Sequence, residues 1–225
     1  MPKRYSIQFS EVSRPIRDLV TKFGGQPTWI EEPQWPVSKA TGEQMVFIGQ
    51  IALAKELFGA IPGRMAYLFM TDNDKVDGTW EPEGGENAII IQPGGMAPPS
   101  KPMKEGPAVC KMVPALFGKR LVPKNCEFAV TLVEGDDCEL PAPDQRTSLT
   151  AEEAENYVKL LEGNKIGGTP FFLQGDEYPS GGPWKFLLQL DSSKVPFFVN
   201  FGDCGIGYAF ISEAGNSAKF LWQCS

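Results

Sequence analysis

Hydrophobic and polar positions alternate most regularly in two segments of the chain. Residues 184–190 alternate with Leu187 as one extra apolar residue, and residues 45–51 alternate in a similar way. A period of two is typical of a strand with one buried face. Aromatic and β-branched runs bounded by Gly, Pro, Asn or Asp predict further strands. These runs are residues 65–71, 88–91, 127–134, 197–201, 207–212 and 218–223.

Helix signals occur at three places. Residues 14–22 follow Ser13, a suitable N-cap, and include Pro15, which a first helical turn tolerates. The Thr150-Ala151-Glu152-Glu153 segment has the spacing of a capping box and precedes an apolar face, and Gly163 is suited to end that helix. A short helix is also predicted over residues 53–58, ending at Gly59.

Four fragments occur twice in the same order and at nearly constant separation. They are Gly-Gly-x-Pro at 24–27 and 167–170, an aromatic residue before proline at 35–36 and 178–179, Phe-x-x-Gln at 47–50 and 186–189, and Tyr-x-Phe at 67–69 and 208–210. This predicts an internal duplication, with pseudo-repeats at about 13–80 and 150–225. The glycines suit a tight corner from a helix into a strand, and Gln50 and Gln189 are predicted to bond backbone there.

The expected organisation is one globular domain over residues 1–225, of the α+β class and β-rich, built from duplicated helix-plus-sheet units. A middle segment, residues 81–149, joins the two repeats. It is rich in Pro and Gly at first and becomes acidic towards residues 134–155. A solvated acidic loop explains the acidic part, because carboxylates also favour a helix N-terminus. An acidic face for a basic partner is the alternative.

Composition restricts the possible partners and compartment. The 225 residues are 42% hydrophobic and 22% charged, as in ordinary globular proteins. A formal charge of −7 argues against nucleic acid or an anionic membrane as partner. No apolar run reaches the roughly 20 residues of a membrane span, and the N-terminus lacks the apolar stretch of a signal peptide. We therefore expect a cytoplasmic protein.

The chain contains no histidine. That excludes His-based catalytic triads and His-containing metal sites. Its five cysteines are widely spaced and without a C-x-x-C pair, which indicates reduced, mostly buried thiols. No glycine cluster forms a P-loop or a G-x-G-x-x-G motif, so no cofactor is expected.

Asp203 and Cys204 are the candidate catalytic residues. They lie in a segment with three glycines, residues 200–208, and align near Ile61 and Pro62 of the first repeat, so they belong to one repeat only. Asp203 suits an acid or base and Cys204 a nucleophile, if a cation stabilises the thiolate. An aspartate that bonds nearby N–H groups in a turn is the simpler interpretation.

Ligand-binding candidates combine aromatic and acidic side chains, although aromatics in glycine-rich sheets are usually core. The candidates are Trp29, Trp35, Tyr178, Asp191 and Asp203. For a metal we expect none. Asp72, Asp74 and Asp77 supply oxygen ligands of the kind that calcium needs, but the register departs from an EF-hand, and a turn explains them more simply.

These motifs together resemble the YwqG-like family, a bacterial family of uncharacterised domains. The resemblance covers roughly residues 14–80 and 150–225, whereas residues 81–149 match loosely. It implies a duplicated α+β fold with split or strongly bent sheets, and it supplies no activity. The matching positions are Gly24, Gly25, Pro27, Trp35, Pro36, Gln50, Gly167, Gly168, Pro170, Leu188, Gln189, Asp191, Gly202, Asp203, Gly205, Tyr208 and Phe210.

The functional expectation is a binding or interaction module without catalytic activity. Its protein partner or small ligand would occupy a groove between the pseudo-repeats. The alternative is a His-independent hydrolase or transferase that uses Asp203 and Cys204. The sequence leaves the oligomeric state open.

Overall fold

The computed structural model describes residues 1–59, 63–95, 98–115 and 120–225. Its strands are β1 (Lys3–Glu11), β2 (Lys22–Gly24), β3 (Trp35–Pro36), β4 (Val46–Ala52), β5 (Met65–Met70), β6 (Asn87–Gln92), β7 (Ser100–Lys101), β8 (Cys110–Pro114), β9 (Leu121–Asn125), β10 (Glu127–Asp136), β11 (Lys165–Gly167), β12 (Trp184–Asp191), β13 (Ile206–Ser212) and β14 (Ala218–Gln223). Its helices are α1 (Lys55–Phe58), α2 (Pro143–Arg146) and α3 (Ala151–Leu161). Within these described ranges, no helix has the length and apolar character required to span a membrane.

One antiparallel sheet dominates the described residues. Its strand order is β14-β13-β12-β11-β1-β10-β2-β4-β5-β6. The long pair β1 and β10 forms the centre, with Ile7 opposite Leu132. We call β2, β4, β5 and β6 the N-terminal arm, and β11, β12, β13 and β14 the C-terminal arm. The strands of the two arms follow in the same order outward from the centre.

The sheet is nearly closed, because the edge strands β6 and β14 lie side by side. Side chains join the two arms near this seam. The Trp80 and Trp222 rings meet edge to face at 5.9 Å, and Lys219 Nζ lies 2.7 Å from a Glu83 carboxylate oxygen. The described residues are thus β-rich, with 38% in strands and 9% in helices. The α+β class is a loose description. Of the expected split or strongly bent sheets, the main sheet is one nearly closed sheet rather than a split one.

Each arm is buried on both faces of its strands. An interior cluster contains residues of both arms, including Phe23, Leu68, Leu188 and Phe220. Two outer clusters centre on Tyr67 in the N-terminal arm and on Tyr208, Phe210 and Leu221 in the C-terminal arm. Burial on both faces explains why β5 reads as a continuous apolar run rather than as an alternation.

β-bulges explain the irregular alternation in the two predicted strands. The pairing register shifts at Ile48 in β4 and at Leu187 in β12. Each bulge inserts one extra residue, and both of these side chains are buried. Leu187, the extra apolar residue of the sequence pattern, is therefore the bulged position.

The helix predicted over residues 14–22 is absent, and β2 begins at Lys22 instead. Long-range contacts replace helical bonds here, because the Ile16 amide donates to Glu127 Oε1 and the Ile16 carbonyl accepts from Lys22 Nζ. Leu19 and Val20 remain exposed, so this segment has little apolar surface to bury as a helix.

The other two helix predictions are confirmed. Thr150 Oγ1 accepts from the Glu153 amide and Glu153 accepts from the Thr150 amide, so both bonds of the capping box are present at the start of α3. The helix α1 ends before Gly59. The strand predicted over residues 197–201 is wrong, since only one bridge forms, from the Phe198 amide to the Cys110 carbonyl.

Candidate functional site

A buried lysine–carboxylate pair lies at the start of each arm. In the N-terminal arm, Lys22 Nζ is 2.7 Å from Glu127 Oε1. In the C-terminal arm, Lys165 Nζ is 2.6 Å from Asp137 Oδ2, and Arg4 Nε is 2.6 Å from Asp137 Oδ1. Burial lowers the pKa of Lys165, although Asp137 opposes that shift. Both pairs anchor an arm to the centre of the sheet.

The paired glycines make room for these carboxylates. Gly25 has φ 63° and Gly168 has φ 80°, in the left-handed region that favours glycine. A Cβ at Gly25 would collide with the Glu127 carboxylate, and a Cβ at Gly168 would collide with that of Asp137. A tight corner forms at each Gly-Gly-x-Pro, but it does not join a helix to a strand, because the first glycine of each pair ends a short strand, β2 or β11. The structure adds the reason for the second glycine.

The two repeated glutamines bond backbone at these corners, as predicted. Gln50 Oε1 accepts from the Thr28 amide at 2.8 Å, and its Nε2 donates to the Val20 carbonyl at 2.9 Å. Gln189 Oε1 accepts from the Phe171 amide at 2.8 Å. Its Nε2 donates to the carbonyls of Leu161 and Gly163. Each amide fixes the loop that follows a Gly-Gly-x-Pro segment.

Two tyrosines repeat a contact that sequence reasoning missed. Tyr67 Oη donates to the Thr28 carbonyl at 2.8 Å, and Tyr208 Oη donates to the Phe171 carbonyl at 2.7 Å. Burial raises the pKa of both phenols, so they remain neutral donors. The repeated Tyr-x-Phe fragment was the available signal. Gln92 and Gln223 bond the next part of the same loops.

A cleft of about 1110 Å³ opens beside the ion pair of the N-terminal arm. Lys22 and Glu127 contribute to its lining. The other lining segments are residues 15–17, 25–33, 104–110, 123 and 125–127. Part of the irregular segment that replaces the predicted first helix therefore forms a wall of the cleft. Trp29 lies in another wall, with its ring 4.7 Å from that of Tyr67 and its Nε1 bonded to the Lys104 carbonyl.

A smaller pocket of about 180 Å³ lies where three parts of the chain meet; we call it the inter-arm pocket. The N-terminal arm and the loop after it contribute Val46, Ile48, Met70 and Asp72. The middle segment contributes residues 107–110, and the connection between β12 and β13 contributes residues 198–200. The cleft and this pocket share residues 107–110 in their linings.

Asp203 and Cys204 lie together in an exposed turn before β13. The Asp203 carbonyl accepts bonds from the amide and hydroxyl of Ser225, and Cys204 has a positive φ of 47°. Neither residue lines the cleft or the inter-arm pocket. Their predicted counterparts in the first repeat, Ile61 and Pro62, lie outside the described residues.

The predicted ligand-binding residues lie in separate places. Trp35 is fully buried in the outer core of the N-terminal arm, with Nε1 bonded to the Met45 carbonyl. Asp191 is buried, and its carboxylate accepts a hydrogen bond from the Ser193 amide. Tyr178 is exposed, and its ring meets that of Phe172 edge to face. Of the five candidates, Trp29 is the one that lines the cleft.

The three candidate metal ligands do not converge. Within residues 1–59, 63–95, 98–115 and 120–225, no group of three His, Cys, Asp or Glu side chains is arranged to hold a metal ion. Asp72 lines the inter-arm pocket, and Asp74 Oδ1 accepts a bond from Asn200 at 3.4 Å. Burial and the neighbouring Asp74 raise the pKa of Asp72.

Comparison with known proteins places this architecture in a family. The family model described as a domain of unknown function (DUF1963) matches residues 21–220, from the start of the N-terminal arm almost to the end of β14. The chain belongs to this family. The DUF1963 match includes both corner glycine pairs and all residues that line the inter-arm pocket. No curated protein matches the chain.

Proposed function

We propose that this DUF1963 protein is a cytoplasmic, YwqG-like binding module that arose by internal duplication. The duplication is supported by four matched pairs of buried contacts, made by Lys22 and Lys165, Gly25 and Gly168, Gln50 and Gln189, and Tyr67 and Tyr208. Each pair occupies the same place in its arm. The glutamines and tyrosines also bond the same part of the following loop, at Thr28 and at Phe171. A shared ancestor is the simplest source of so many coincident long-range contacts.

The ligand that we propose is a peptide segment of a protein partner, bound in the cleft and reaching the inter-arm pocket. The cleft volume carries this proposal, because it slightly exceeds the roughly 300–1,000 Å³ that is typical of small-molecule sites and so leaves room for a peptide segment. Its rim has charges of both signs, with Arg17 and Lys104 on one hand and Glu31, Glu32 and Glu105 on the other. Trp29 adds an aromatic surface of the kind enriched in recognition sites. A mixed rim suits a peptide better than a polyanion.

Selection from a displayed library of random peptides, followed by titration of Trp fluorescence, tests the proposal. The double variant Arg17→Glu/Lys104→Glu alters two exposed lining residues and is expected to weaken the selected peptides at least about tenfold, since rim charges orient a partner. Lys185→Glu reverses a charge at an exposed position of β12, outside both cavities, and is the control.

Two results would overturn the proposal. One is a library that yields no peptide above background. The other is a set of peptides whose affinity the double variant and the control change equally, because such peptides bind elsewhere on the surface.

A His-independent hydrolase or transferase is the second candidate. It is favoured by the exposure of Cys204 and by its positive φ, which strains a non-glycine residue. Alkylation with iodoacetamide tests it. A catalytic Cys204 would react faster than Cys138 and Cys224, which are partly buried, and Asp203→Asn would change that rate. A Cys204 that reacts like a free thiol in a peptide would end this candidacy.

A further inference from the structure

The inter-arm pocket combines an apolar interior with a single type of charge. Val46, Ile48, Met70 and Val109 supply aliphatic surface, and Phe198 adds a ring that is 49% exposed. Asp72 supplies a carboxylate, and the described residues that line the pocket include no lysine or arginine. A ligand that fits must therefore be apolar along its length and cationic, or neutral, near Asp72.

We propose that the inter-arm pocket binds a lysine side chain of the peptide, with the methylene stem against the apolar walls and the ammonium at Asp72. Lysine places a charged head on a flexible apolar stem, and such side chains bury the stem while the head keeps a polar environment. The exposed Phe198 ring offers a further favourable surface to a cation. This inference rests on the proposed function for the peptide nature of the ligand.

The surroundings of Asp72 favour a cation over a neutral apolar group. Asp72 is exposed at the pocket, but the surrounding protein still desolvates its carboxylate and raises its pKa, and the neighbouring Asp74 acts in the same direction. Burial and Asp72 also raise the pKa of Cys110, so that its thiol stays neutral and does not compete as an anion. An ammonium in the pocket would offset the repulsion between the two carboxylates, whereas an alkyl group would desolvate Asp72 without compensation.

The shared segment connects this pocket to the proposed peptide site. The Phe47 amide donates to the Pro107 carbonyl, the Val109 amide donates to the Phe47 carbonyl, and the Phe198 amide donates to the Cys110 carbonyl. Residues 107–110 are thus bonded to β4 and to the connection between β12 and β13. A peptide that follows the cleft can place one side chain across this segment into the pocket.

Three small probes of equal length isolate the pocket from the cleft. We expect n-butylammonium to bind more tightly than n-butanol, and butyrate least, in titrations followed by methyl NMR signals of Val46, Ile48 and Val109. Asp72→Asn is expected to weaken n-butylammonium at least about fivefold and to leave n-butanol unchanged. Asp77→Asn, in the same loop but outside both cavities, is the control.

The proposal is overturned if butyrate binds as well as n-butylammonium, or if both variants have the same effect. Should Asp72→Asn unfold, the salt dependence in the natural chain decides, because only an ion pair weakens as salt rises. A lysine-to-norleucine exchange in a selected peptide separates the two proposals. If a peptide keeps its affinity after this exchange, the cleft site is supported and the pocket assignment is wrong. If n-butylammonium binds but no peptide is selected, the pocket assignment stands and the proposed peptide site in the cleft is wrong.

Discussion

The two arms of the sheet contain the same kind of buried lysine–carboxylate pair, but different segments precede it in the chain. In the C-terminal arm, Asp137 is fully buried against Lys165 and Arg4, and α3 precedes β11. In the N-terminal arm, Lys22 and Glu127 line the cleft, and an irregular segment precedes β2. The polar framework is thus common to both arms, whereas the segment before the first strand differs, and in the N-terminal arm that segment forms part of the wall of the cleft.

Removal of the carboxylates should have the largest effect and separate the arms. Asp137→Ala leaves Lys165 and Arg4 without their partner, and Glu127→Ala leaves Lys22. An uncompensated buried charge costs about 3–5 kcal/mol. We expect the loss of stability in Asp137→Ala to lie at the upper end of this range, because Lys165, Arg4 and the Thr169 amide all lose their partner. Urea unfolding measures both values, and a larger loss in Glu127→Ala would contradict the comparison.

Alanine at the corner glycines should be the next largest change. A left-handed backbone costs an L-residue about 1–2 kcal/mol, and overpacking adds about 1–3 kcal/mol. Gly25→Ala and Gly168→Ala incur both costs because the new Cβ meets a carboxylate. Gly42→Ala, with φ 70° and no atom within 4 Å of the new Cβ, incurs only the first. Equal losses in all three variants, measured by thermal unfolding, would show that the carboxylate contact is unimportant.

The loss of stability on replacing each repeated glutamine should follow the number of hydrogen bonds that its side chain makes. Gln189 Nε2 donates to two carbonyls and Gln50 Nε2 to one. Leaving buried partners unsatisfied costs about 1–3 kcal/mol, so Gln189→Leu should destabilise more than Gln50→Leu. The free energies of unfolding in urea give the difference. Equal values would mean that solvent replaces the extra bond.

The smallest expected effect is on stability at high pH. Burial raises the folded-state pKa of Tyr67 and Tyr208 above the ordinary 10.0, so the stability that they contribute is present below pH 10.0 and falls as pH rises above it. Lys165, whose folded-state pKa is lowered from 10.5, acts oppositely and adds stability as pH approaches 10.5. Tyr67→Phe and Tyr208→Phe should each reduce the loss above pH 10.0 by a similar amount, in denaturation measured from pH 8 to 11. If one of these variants alone abolished the loss of stability above pH 10.0, the two tyrosines would not be equivalent.

Local signals in the sequence predicted α3 and the corners correctly. Thr150 and Glu153 are three residues apart, and Gly24 and Gly25 are adjacent, so short-range geometry determines both. The first helix failed because Ile16 bonds residues far away in the chain. No local pattern predicted the cleft either, because its walls come from segments that are distant in the chain and meet only around the folded sheet.

The sequence by itself determined that the chain has two matching sets of corner residues, because glycine conformations, caps and strand alternation depend on near neighbours. Only the tertiary structure decided that Glu127 and Asp137 fill the space beside Gly25 and Gly168. It also decided that ten of the fourteen described strands form one nearly closed sheet and that Asp72 lines an apolar pocket between the arms. These features depend on contacts between distant residues, and strand order and burial are set by packing the whole chain together.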